Sequence, residues 1–218
     1  MTERYNVQAS TILGANYELT SIECSDYNPD IDDSITVTIT VTDVYGDAVS
    51  GESVLVTASD GNFTQLNGSN ITNASSVTGT TNSSGQFTLT YACSEWGLIT
   101  FTANNTSTQV RVSGWKQVAE ETVSGVTYTC KVNGEGIGKV HVSCSNVSFG
   151  TGNTHEKTNW IPDPYKPIGY SNALFQRSVS NNIIVYLWGS NTTIGITNTY
   201  SSSQTQSLDI TIIYSYIA

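Results

Sequence analysis

Two histidines, His141 and His155, are the only imidazoles in the chain. His141 has the outward parity of a predicted strand, between Val140 and Val142, and His155 falls in a Gly/Asn-rich loop. A serine hydrolase needs a G-x-S-x-G elbow, a zinc hydrolase an H-E-x-x-H helix and a nucleotide enzyme a Gly-rich phosphate loop. None of these occurs. Glu156 and Asp163 are the one pair that could act as glycosidase carboxylates. They share a loop without a supporting motif and read as solvated charges, so neither an enzyme nor a cofactor is expected.

Two further groups carry binding chemistry. Asp26, Asp30, Asp32 and Asp33 cluster in S-D-Y-N-P-D-I-D-D. Calcium favours several carboxylates on one loop, but the spaced D-x-[DN]-x-[DN]-G pattern is missing. The loop therefore reads as an acidic strand connection, with calcium as the alternative. The second group is N-W-I-P-D-P-Y-K-P, Asn159 to Pro167, which holds three of the four prolines. Sugar rings stack on Trp and Tyr faces while polar neighbours fix hydroxyls. Trp160, Asp163, Tyr165, Lys166 and Tyr170 are the ligand-binding candidates. The alternative for Trp160 and Tyr165 is to plug the end of a sandwich.

The elements that would position these groups are strands. Ile35, Val37, Ile39 and Val41 alternate with threonines, and the same period of two returns at Val54/Val56, Phe87/Leu89/Tyr91, Ile99/Phe101/Ala103 and Val110/Val112. Turn signals such as Y-G-D, S-D-G and N-S-S-G separate the runs, as in a sandwich. The alternation lapses over 114–125, where Gln117 to Thr122 could form one helical turn. This span is expected to link two domains, 17–113 and 126–218. Residues 62–84, rich in Asn, Ser and Thr, should be an exposed loop or edge. A hairpin follows the linker, from Val126 to Val132 and Val140 to Cys144. In the last run Leu208, Ile210, Ile212, Tyr214 and Tyr216 share one face, with Ile213 and Ile217 on the other. A strand apolar on both faces is covered on both. Tyr186, Trp188, Ile212, Tyr214 and Tyr216 are therefore candidates for a subunit interface or core.

Composition narrows the partners. Hydrophobic residues are 38% and charged residues 12%, with net charge −10. The acidic excess lies wholly in residues 1–114, and 115–218 carry six charges of each sign. Such a chain has no electrostatic footprint for nucleic acid and is repelled by anionic membranes. No apolar leader is visible, and the longest apolar run, Ile183 to Trp188, is too short to span a bilayer. Synthesis in a cytoplasm is expected. Cys24, Cys93, Cys130 and Cys144 lack C-x-x-C spacing and read as buried thiols rather than disulfides.

T-D-V-Y-G-D-A-V-S-G-E-S-V (Thr42 to Val54) and T-T-N-S-S-G-Q-F-T-L-T-Y (Thr80 to Tyr91) resemble the two motifs of bacterial Ig-like domains of the invasin/intimin type. The resemblance implies a spacer or display module over 17–113. One departure is Ala48, where the family often has Pro. W-I-P-D-P-Y-K-P followed by strands and a terminal Y-S-Y-I is similar to the C-terminal heads of phage tail-fibre and baseplate proteins, with Lys166 where Arg is frequent. That likeness implies a jelly-roll-like β-sandwich head, generally trimeric, that binds a host surface. The expected protein is thus all-β, an Ig-like sandwich followed by a head. It would be a virion fibre or tail protein, a homotrimer attaching to host glycan or protein. Residues 1–16 would anchor it to other virion proteins. The alternatives are a virion structural or decoration protein and a cell-surface adhesin.

Overall fold

A computed structural model describes residues 18–157, 160–167, 174–178, 183–188 and 193–216. The expected anchoring segment 1–16 and Ile217 lie outside the described residues. The chain divides into two compact units, Met1–Ser113 and Gly114–Ala218.

The first unit contains β1 (Leu19–Cys24), β2 (Ser34–Thr42), β3 (Ser53–Ala58), β4 (Asn62–Leu66), β5 (Ser69–Ala74), β6 (Ser76–Thr80), β7 (Gln86–Ala92), β8 (Gly97–Ala103) and β9 (Thr106–Val112). They form an Ig-like sandwich of two sheets, ordered β1-β2-β7-β4-β5 and β6-β3-β8-β9. β-branched residues suit these strands because their stiff side chains pack well on a pleated, half-buried surface. In β2 every second residue, from Ile35 to Val41, is buried, while the intervening threonines meet water. The facing set is Val54, Val56, Ile99, Phe101, Val110 and Val112. Each such side chain contributes roughly 1.5–3 kcal/mol by leaving water. The polar stretch 62–84 supplies β5 and β6, which are edge strands of the two sheets.

An aromatic trio holds the sheets together. Tyr91 meets Phe101 edge-on at 4.9 Å, and Phe63 lies 5.8 Å from each. The Tyr91 hydroxyl donates to the Asp60 carbonyl at 2.8 Å, so a buried phenol is satisfied. Gly61 follows at φ +71, and a Cβ there would stand 2.1 Å from that hydroxyl. The S-D-G turn is thus shaped by the tyrosine it receives.

Three turns share one device. Asp43 Oδ1 accepts from the N–H groups of Tyr45 and Asp47 at 2.9 and 3.0 Å. Asn82 Oδ1 does the same for Ser84 and Gln86 at 2.8 and 3.1 Å. Asn133 Oδ1 does so for Glu135 and Ile137 at 3.1 and 3.0 Å. In each, the residue three places on is glycine with positive φ: Gly46, Gly85 and Gly136. This is an Asx-turn closed by a left-handed glycine.

The second unit contains β10 (Lys116–Val123), β11 (Val126–Val132), β12 (Ile137–Phe149), β13 (Gly152–Lys157), β14 (Leu174–Ser178), β15 (Ile183–Trp188), β16 (Thr193–Asn198) and β17 (Gln204–Ser215). Its sheets are β10-β11-β12-β17 and β13-β16-β15-β14. Residues 116–123, expected as linker with a helical turn, are strand β10 instead. A register shift between Gln117 and Ala119 breaks the period of two, and β10 pairs only with β11. A bulged edge strand leaves little alternation to read. His155, expected in a loop, lies in β13 with φ 58.

The proposed interface residues are corrected too. Ile212, Tyr214 and Tyr216 point into the unit's own core, as does Tyr186. They are spent inside one chain and are unavailable to a partner. Trp188 ends β15, and its side chain lies outside those described. On β17 the outward apolar residue is Ile213, which is 65% exposed.

Two of the inward tyrosines lie opposite glycines. Tyr214 pairs with Gly138 across β12–β17, and Tyr186 pairs with Gly195 across β15–β16. A Cβ on Gly138 would stand 2.1 Å from the Tyr214 ring, so the glycine gives that ring its place on the sheet. Gly138→Ala is therefore expected to lower stability by about 1–3 kcal/mol, the range for overpacking. Thermal unfolding of the single variant and of Gly138→Ala with Tyr214→Leu checks this. The double variant should show a smaller added cost for the alanine, and equal costs would contradict the contact.

Candidate functional site

The proline segment is built into the second unit. Ile161 is fully buried, and the half-buried Trp160 ring lies edge-on to Tyr128 at 6.1 Å. The Tyr165 N–H donates to the Pro162 carbonyl at 3.0 Å, and the Asp163–Pro164 peptide is cis. The Tyr165 ring meets Tyr216 edge-on at 5.4 Å. Its carbonyl accepts the Tyr214 hydroxyl at 3.0 Å. The same hydroxyl contacts Cys130 Sγ at 3.2 Å, and Tyr216 donates its own to the Asn133 carbonyl. Pro167 bridges to Tyr216. Trp160 and Tyr165 thus pack against core tyrosines. Asp163 and Lys166 pair with each other at 3.0 Å in an exposed i,i+3 contact, which contributes little. Tyr170 lies outside the described residues.

The other candidates do not assemble. The Glu156 carboxylate accepts the Tyr186 hydroxyl, while Asp163 is paired with Lys166. In the acidic loop, Asp26 Oδ1 accepts from the Asn28 N–H at 2.8 Å. Asp32 donates its N–H to the Cys93 carbonyl at 2.8 Å, Asp33 accepts from the Cys93 N–H at 2.9 Å, and Asp30 bridges to Ser113. These backbone bonds fix the loop. Among the described residues no group of three or more Asp, Glu, His or Cys side chains that could hold a metal ion is found, Asp26, Asp30, Asp32 and Asp33 included.

A different surface gathers polar chemistry. On the β10-β11-β12-β17 sheet, Val126, Tyr128, Cys130 and Val132 point inward, so Thr127, Thr129 and Lys131 point outward. The register then places outward residues in three rungs. The first is Gln117, Lys131, Lys139 and Ile213. The second is Glu120, Thr129, His141 and Thr211. The third is Thr122, Thr127, Ser143 and Asp209. The first two rungs line an open depression of about 490 Å³, with Ile213 outside its lining.

Hydrogen bonds link these side chains. His141 Nδ1 lies 3.2 Å from Thr211 Oγ1, and its Nε2 lies 3.6 Å from an Asp209 carboxylate oxygen. The Thr129 hydroxyl donates to Glu120 at 3.5 Å, a long contact. Lys139 Nζ sits 3.9 Å from the centroid of the Trp115 ring, which is 38% exposed. The face therefore offers an aromatic edge, two ammonium groups, hydroxyls, an imidazole and carboxylates on rigid strands. It contains none of the ligand candidates drawn from the proline segment. The outward parity of Thr127, Thr129 and Lys131 in β11 and of Lys139, His141 and Ser143 in β12 was the available signal. Trp115 gave none, since it precedes a strand that the pattern did not reveal.

No family model matches the chain, and no curated protein matches it. Among solved structures it is similar to the Yersinia pseudotuberculosis adhesin InvE, with TM-score 0.33 and 12% identity, over 88% of this chain and 58% of that one. It is also similar to the collagen adhesin CNA of S. aureus, with TM-score 0.29 and 11% identity, over 91% of this chain and 81% of that one. A third is domains 5-6 of the S-layer protein SbsC, with TM-score 0.28 and 14% identity, over 88% of this chain and 97% of that one.

The thiols are held protonated. None of the four cysteines is disulfide-bonded. Burial pushes Cys24, Cys93 and Cys130 up to about 11 and raises Cys144 as well. An unfolded thiol titrates near ~8.5. Between roughly pH 8.5 and about 11 the unfolded chain releases protons that the folded chain keeps, so stability falls as pH rises through that window. Tyr91, Tyr128, Tyr186 and Tyr214, also pushed up by burial, act in the same direction. The urea midpoint should decline from pH 8 to 11, and replacing Cys93 and Cys130 with valine should flatten part of the decline. A midpoint constant over that range would contradict the burial.

Proposed function

We propose that the chain is a non-enzymatic attachment protein of a virion. In this reading the Ig-like unit acts as a spacer and the second unit displays a recognition face to a host cell surface. The polar outer face of β10-β11-β12-β17 carries the proposal. It sets an aromatic edge beside ammonium, hydroxyl and imidazole groups on strands held rigid by a packed core. Such a mixture recognises surface glycans, with stacking supplying area and polar groups supplying orientation. The two Ig-like motifs and the W-I-P-D-P-Y-K-P head pattern support the virion placement. Several copies on one particle convert weak single sites into avid attachment.

The proline segment then has a structural role, since Trp160 and Tyr165 pack against Tyr128 and Tyr216. The labelled chain should bind saturably to the envelopes of at least one member of a bacterial panel. A Tyr165→Ala variant should melt at a lower temperature while its folded fraction binds with unchanged affinity. Absence of binding to every envelope, with retention by purified virion proteins, would replace attachment with a structural role in the particle.

A further inference from the structure

We infer that the outer face of β10-β11-β12-β17 is a binding site for an acidic saccharide, a sugar ring carrying a carboxylate or a phosphate. The inference rests on the attachment reading and names the ligand class of that surface.

The first rung holds the decisive feature. Lys131 and Lys139 are direct cross-strand partners on the same outward face. Like charges placed opposite one another destabilise a sheet. Among the described residues neither lysine has a carboxylate within ion-pair distance. The chain has 18 acidic residues against eight basic ones. Surplus carboxylates are therefore plentiful, yet among the described residues none forms an ion pair with either lysine. An anion seated between the two ammonium groups would relieve their repulsion and accept hydrogen bonds from both.

The surroundings specify a sugar rather than a bare anion. Trp115 borders the rung, with Lys139 Nζ over its ring, and offers a partly exposed aromatic surface for stacking. One rung further along the strands, roughly 7 Å away at about 3.4 Å per residue, lie Thr129, His141 and Thr211. Their hydroxyls and imidazole can donate to and accept from sugar hydroxyls, and the Glu120 carboxylate can accept from them. A depression of about 490 Å³ is of the size that takes one or two sugar rings. The carboxylates also limit the choice. Glu120 on the second rung and Asp209 beside His141 would repel a densely charged chain. The face therefore suits an isolated negative group followed by neutral hydroxyls and disfavours nucleic acid.

The full chain, titrated by calorimetry at low salt, tests this. The probes are a galactose hexamer ending in a single galacturonate, galactose 6-phosphate, inorganic phosphate, a neutral galactose hexamer, polyglutamate and single-stranded DNA. The galacturonate-ended hexamer or galactose 6-phosphate should bind at least tenfold more tightly than the neutral hexamer, and the stronger of the two identifies carboxylate or phosphate as the anionic group. Binding should weaken with added salt. Lys131→Gln with Lys139→Gln should lose at least tenfold affinity with a melting temperature no lower than that of the unmodified chain, and Trp115→Ala should weaken the saccharide more than inorganic phosphate. Binding of the neutral hexamer as tightly as the acidic probes would overturn the inference. So would an unaffected lysine variant, tighter binding of polyglutamate or DNA, or no binding of either acidic probe. The same lysine variant on cell envelopes separates the two proposals. Undiminished envelope binding sinks this site and leaves attachment standing, whereas loss of all envelope binding by the unmodified chain sinks attachment itself.

Discussion

A side-chain oxygen that accepts two backbone N–H groups sets the register on which both units depend. At Asn133 the device closes the β11–β12 hairpin within one sheet. At Asp43 and Asn82 it turns the chain between one sheet and the other. Thr81, almost wholly buried, joins these last two regions. Its hydroxyl donates to the Val49 carbonyl at 2.7 Å and accepts the Glu52 N–H at 2.9 Å. A slip of one residue at any such turn would move every following side chain to the opposite face. The glycine of each turn is needed because the residue must enter the left-handed region, where a Cβ is opposed. At Gly85 the demand is doubled, since a Cβ would also stand 2.5 Å from the Val41 carbonyl oxygen.

That dependence explains what was legible in the sequence. Strands buried on one face announce themselves, so Ile35 to Val41 and Phe87 to Tyr91 could be read by parity alone. The N-G-E-G and T-D-x-x-G spacings carried their turns openly, because the geometry is local to five residues. β10 could not be read, since its bulge displaces the apolar pattern and its role as an edge demands little of its side chains. The inward tyrosines could be read as apolar but not assigned to a core rather than an interface. That choice depends on Gly138 and Gly195 lying opposite them, which is a fact of register and not of neighbouring sequence.

The candidate site was legible in a different and poorer way. Composition drew attention to W-I-P-D-P-Y-K-P, because stiff and aromatic residues stand out against Ser and Thr. Those residues stand out for a packing reason. A crossing that closes a sandwich needs apolar anchors such as Ile161 and Tyr165, and prolines suit a path that donates no ladder hydrogen bonds. The polar sheet face is made of commonplace residues, Thr, Lys, Gln and His, whose meaning arises only when four strands align them. No window of sequence contains Gln117, Lys131, Lys139 and Thr211 together.

The two units use the same architecture to different ends. The outward residues of β2 and β7 are largely threonines, whose hydroxyls and Gln86 supply cross-strand contacts such as the 3.0 Å bond from Gln86 to Thr40. Such a face is solvated and nearly uncharged. In the second unit the equivalent outward positions of β11 and β12 bring two lysines side by side at an electrostatic cost. Threonine at those positions, as on the outward face of β2 and β7, would avoid that cost. On the proposed reading, an anionic group seated between Lys131 and Lys139 would offset that cost.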